Sequence, residues 1–170
     1  MGSTIKNVAA AAAVAVASVG GTAAHAQSAF DGFYLGAFLQ NDFAGTFRNG
    51  AIDGAVGLFA GYNYMVSNGF VVGAEAEVQY DWATLAVPAG TAFTGIANAR
   101  VGYTPTSNIM VYAKGGAGFM SNGGGAVYNY GLGAEYAMGS YFVRAEGMRV
   151  NLTNGAPNRT DLKLGIGVSF

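Results

Sequence analysis

The sequence predicts an all-β protein, an eight-stranded antiparallel up-and-down transmembrane β-barrel preceded by a cleavable leader. Three observations lead there. Apolar and polar residues alternate with a period of two over stretches of about ten residues, the spacing of a strand with one apolar face. Only 10% of the 170 residues are charged, while 52% are hydrophobic and 28 are glycine. A water-facing surface takes roughly 25–35% charged residues, so this chain is poorly suited to one. No stretch reaches the roughly 18–20 consecutive apolar residues of a membrane-spanning helix. A formal net charge of −1 supplies no basic stripe, which argues against a nucleic-acid partner.

Residues 1–26 read as the leader. Lys6 supplies the positive start, 8–20 is an Ala/Val run, and Ala24-His25-Ala26 is an A-x-A cleavage site with Gln27 as the new N-terminus. The barrel is therefore expected to span 27–170. Cleavage removes His25, the only histidine, from a chain that has no cysteine. Without His or Cys there is no Ser-His-Asp triad, no Cys-His dyad and no His-ligated zinc or haem. No enzyme activity, metal or cofactor is expected.

The strands follow in order. Residues 32–40 put Phe33, Leu35, Ala37 and Leu39 on one face, and 55–64 do so with Val56, Leu58, Ala60, Tyr62 and Tyr64. In 70–82 the face Phe70, Val72, Ala74, Ala76, Val78, Tyr80, Trp82 opposes Glu75, Glu77, Gln79 and Asp81. At 13 residues that strand is long for a globular protein and suits a tilted membrane strand. Residues 93–103 set Phe93, Ala97, Ala99, Val101 and Tyr103 against Asn98 and Arg100; 109–119 set Ile109, Val111, Ala113, Ala117 and Phe119 against Lys114. Residues 128–138 set Tyr128, Tyr130, Leu132, Ala134 and Tyr136 against Asn129 and Glu135. Residues 141–150 set Val143 and Ala145 against Arg144 and Glu146, and 162–170 end the pattern with Leu162, Leu164, Ile166, Val168 and Phe170 opposite Lys163.

Connectors 41–54, 83–91, 121–125 and 152–160 alternate with mostly shorter ones at 65–69, 104–108 and 139–140. Long loops at one end and tight turns at the other suit an outer-membrane barrel with both termini on the turn side. Alternation alone does not say which face points inward, because a soluble and a membrane barrel are inside-out versions of one pattern. The polar face is too rich in glycine and too poor in charge for a solvent surface. The apolar face carries aromatics mainly at strand ends, as two interfacial girdles would. The apolar face is therefore expected to meet lipid and the polar face to fill the lumen.

That assignment brings Glu75, Glu77, Arg100, Lys114, Glu135, Arg144, Glu146 and Lys163 to similar depths inside the barrel. Four acids and four bases sum to zero. Buried charges are tolerable only when paired, so one connected ion-pair network is expected in half the lumen, with Tyr34, Phe38, Gln40, Phe59 and Asn63 in the other half. Its role is read as structural, since an eight-stranded barrel is just wide enough to be filled by side chains. Arg149 has lipid-facing parity, so either a bulge at Gly147-Met148 turns it inward or it snorkels at the interface, which the reading favours.

These residues resemble the small eight-stranded outer-membrane β-barrel proteins of Gram-negative bacteria, a group that includes OmpA-type transmembrane domains, alphaproteobacterial surface antigens and "porin family" proteins. The matching segments are GFYLGAF (32–38), GYNY (61–64), ARVGY (99–103), VYAKGGAGF (111–119), GLGAEY (131–136) and LGIGVSF (164–170). The resemblance implies a structural or surface role in the outer membrane, with lipid and lipopolysaccharide around the barrel. It also implies that Phe170 is part of a signal read by the barrel-assembly machinery, and that loops 41–54, 83–91 and 152–160 face an extracellular partner, if there is one. No peptidoglycan-binding domain is expected after the last strand. The alternative reading is a narrow porin-like channel for small solutes.

Overall fold

The computed structural model describes residues 29–42, 54–82, 91–154 and 158–170. The leader with its Ala26–Gln27 junction and most of connectors 41–54 and 83–91 lie outside the described residues. Eight strands follow in sequence: β1 (Gly32–Asp42), β2 (Gly54–Ser67), β3 (Phe70–Trp82), β4 (Thr91–Thr106), β5 (Ile109–Met120), β6 (Gly125–Met138), β7 (Tyr141–Leu152) and β8 (Arg159–Ser169). Each pairs with the next in antiparallel fashion, and β8 returns to β1 from Tyr34↔Ser169 to Asp42↔Asp161, so the sheet closes. Closure leaves no unpaired edge, which a membrane interior would not tolerate.

Most strands run further than the alternation alone indicates. The turns are tighter than expected: Asn68 and Gly69 both have positive φ (49° and 83°), the two-residue geometry whose twist matches the flanking strands. Pairing therefore continues to Ser67↔Phe70. Odd residues are absorbed by register shifts between Met65 and Ser67 and between Tyr103 and Thr106. The second shift contains Pro105, which has no N–H to donate to the ladder.

Outward positions are apolar and exposed along nearly every strand; Leu132 is 70% accessible and Phe119 75%. Val168 keeps outward parity and is nevertheless buried, packed with Ala37 and Leu35. Aromatic partners sit directly across strands at both ends, Phe33–Tyr62 (4.7 Å) and Phe70–Tyr103 (5.2 Å) at the turn end, Tyr80–Phe93 (5.1 Å) at the loop end. Each such pair is worth about 0.5–1.5 kcal/mol beyond its buried area. The inward glycines have a packing role: a methyl group at Gly57, Gly133 or Gly167 would collide with the ring of Phe38, Tyr112 or Phe142. The barrel is narrow enough that rings from one strand lie over the bare backbone of its neighbours.

Candidate functional site

Inward parity on six strands delivers the charges to one place. Glu75 and Glu77 come from β3, Arg100 from β4, Lys114 from β5, Glu135 from β6, Arg144 and Glu146 from β7, and Lys163 from β8. All eight are buried, and ion pairs connect them into a single cluster. Lys114 Nζ lies 2.9, 2.6 and 2.6 Å from carboxylate oxygens of Glu75, Glu77 and Glu146. Arg144 reaches Glu75 at 2.6 Å and Glu77 at 3.5 Å. Arg100 bridges Glu135 (2.9 Å) and Glu75 (3.5 Å), and Lys163 caps Glu77 at 2.7 Å.

Neutral hydroxyls and rings complete the packing. Tyr34 Oη donates to Glu75 at 3.0 Å and Tyr112 Oη to Glu146 at 2.6 Å. Arg144 stacks 3.5 Å from the Phe59 ring centre, Arg100 lies 4.0 Å from that of Tyr112, and Lys163 lies 4.6 Å from that of Phe38. These contacts hold desolvated cations against ring faces and carboxylates at once. Tyr34, Phe38, Gln40, Phe59 and Asn63 are also buried in the lumen.

Glu75, Glu77 and Glu146 present ligand atoms within 4.8 Å of one another, a donor set for a metal ion. The ammonium of Lys114 contacts all three, so positive charge is already supplied at their centre. Every carboxylate here is engaged by at least one cation, which suits a structural core better than acid–base chemistry. The lumen is not uniformly saturated: the side-chain amides of Asn98 and Asn129, flanking Gly116 on one rung, have no hydrogen-bond partner among the described residues.

Apolar clusters lie on either side of the charges. At the turn end Phe30, Val71, Met110, Tyr112 and Ala137 pack together. At the loop end Ile96, Met120, Val127, Val150 and Leu152 close the half built by β4–β7. Sequence reasoning missed a second charged group, on the other half of the loop end. Arg159 lies 3.4 Å from Asp81 and 3.2 Å from Asp161, while Gln79 and Thr94 donate to Asp81 at 2.8 and 2.7 Å. Starting the last strand at residue 162 hid it; carrying the parity of Lys163 back two and four residues would have placed Asp161 and Arg159 inside.

Arg149 needs no bulge. The β7–β8 register is regular from Tyr141↔Val168 to Val150↔Arg159, and Arg149 stays on the outer face with Nη1 donating to Thr160 Oγ1 at 2.9 Å. Phe170 lies just past β8, its N–H donating to Phe33 O at 2.8 Å.

A family model described as the outer membrane protein beta-barrel domain matches residues 9–170. The 31 kDa outer-membrane immunogenic proteins of Brucella melitensis and Brucella suis are 36% identical over 74 residues, covering 37% of this chain and 31% of each relative. The match thus spans about a third of those proteins. Among solved structures, the N-terminal β-barrel domain of Pseudomonas aeruginosa OprF superposes with a TM-score of 0.56 at 18% identity, covering 82% of this chain and 98% of that one. Neisserial surface protein A gives 0.55 at 16% identity over 82% and 98%. Ail of Yersinia pestis gives 0.54 at 15% identity over 82% and 99%. At these identities the likeness is one of fold.

Proposed function

This chain belongs to the outer membrane protein beta-barrel domain family, and from that membership we propose that it is a structural, surface-exposed barrel whose lumen is sealed. The protein resides in the outer membrane. The observation that carries the sealed reading is the neutral, eight-membered charge network, bounded by apolar clusters towards both ends. Ions crossing such a barrel would have to displace paired, desolvated charges, and breaking one buried pair costs about 3–5 kcal/mol. On this reading loops 41–54, 83–91 and 152–160 face the exterior, residues 1–26 are removed at Ala26–Gln27, and Phe170 marks the strand that the barrel-assembly machinery receives.

Planar-bilayer recording of the folded protein tests it. The expected trace is flat. Recurrent discrete steps that change size when Arg100 or Lys114 is made neutral would replace the sealed barrel with a narrow solute channel.

A further inference from the structure

Among the described residues, position 149 alone carries a charge on the outward face of a strand. A lipid-facing arginine is costly at mid-bilayer and nearly free of cost at the interface, and Arg149 lies near the loop end of β7. Its row across the sheet is Tyr130–Arg149–Thr160, with Tyr128–Asn151 one step nearer the loops. A guanidinium has five N–H donors. One serves Thr160, and the other four meet no acceptor among the described residues.

The row beneath is Leu132–Gly147–Leu162, and a Cβ at Gly147 would meet nothing within 4 Å. The next is Ala134–Ala145–Leu164, whose side chains line an apolar groove of about 690 Å³ together with Tyr136, Val143 and Ile166. A trough of small residues on β7 thus runs down the outside of the barrel from a cluster of unused donors.

We infer that this face of β7 is a lipid site. The Arg149 guanidinium, beside the Thr160 hydroxyl and Asn151 amide, takes a phosphate of an outer-leaflet glycolipid of the lipopolysaccharide class, and an acyl chain lies over Gly147 and Ala145. Arginine suits a phosphate because its planar fork matches two oxygens at once. The inference rests on the reading above that the loop end faces the exterior.

Native mass spectrometry of the folded full chain tests it, with bisphosphorylated lipid A and its dephosphorylated derivative as probes. The wild type is expected to retain the phosphorylated lipid at least tenfold better. Arg149→Gln abolishes that preference, Gly147→Leu weakens retention of both lipids alike, and millimolar inorganic phosphate leaves the lipid adduct in place. Equal retention of both lipids by the wild type, an Arg149→Gln variant that keeps the preference, unchanged retention by Gly147→Leu, or an adduct stripped by inorganic phosphate would overturn the site. Heat-shift gels of the same samples separate two failures: a shifted band without lipid preference removes this inference alone, whereas an unshifted band removes the barrel reading with it.

Discussion

At the scale of the residue, Lys114 is the most closely held cation of the lumen network. Arg100, Arg144 and Lys163 each rest on a ring, whereas Lys114 is held by three carboxylates within 2.9 Å. Replacing it with methionine leaves Glu75, Glu77 and Glu146 crowded together with one cation fewer. Lys114→Met is expected to destabilise the barrel by about 3–5 kcal/mol, the cost of orphaning a buried charge. Adding Glu146→Gln removes one excess negative charge, so the double variant loses less than the sum of the two single ones. Urea unfolding of the lipid-reconstituted proteins, followed by the heat-shift band, measures the cycle, and simple additivity would refute the coupling. The eight members were legible from parity alone, but their partners were not. Glu75 meets Arg144 across 69 positions of sequence, and nothing local encodes that contact.

At the scale of the element, each strand has two faces in two solvents, and substitutions are expected to follow depth. Leu132 lies at the middle of β6 and Phe119 near the loop end of β5, both on the outside. Leu132→Arg is predicted to cost roughly 2–4 kcal/mol and Phe119→Arg roughly 0–1. Equilibrium unfolding in lipid vesicles reads both; equal losses would mean that these positions do not differ in membrane depth. Strand existence and facing were legible because a period of two is a local property of the chain. Strand ends were less so. The 152–160 connector yielded Arg159 and Thr160 to β8, and with them the Asp81–Arg159–Asp161 group, because a ladder extends for as long as its neighbour offers partners.

At the scale of the whole molecule, the closed sheet has a loop end and a turn end, and its orientation is open to measurement. With no cysteine in the chain, single thiols report cleanly. On intact cells a membrane-impermeant maleimide is expected to label Asn154→Cys, in the exposed β7–β8 connector, and to spare Ser140→Cys, in the exposed β6–β7 turn. The reverse pattern would turn the barrel over and remove the outer-leaflet setting from the Arg149 site.

The sequence by itself determined that this chain is a barrel with an apolar exterior and a charged interior, because strand period, glycine content and charge scarcity are visible residue by residue. Only the tertiary structure decided how that interior is wired. Closing β8 onto β1 sets the stagger of the strands, and the stagger puts Lys114 among three carboxylates, Arg159 beside Asp81, and Arg149 above a bare stretch of β7. Those distances follow from the geometry of closure, to which every strand contributes and which no single strand encodes.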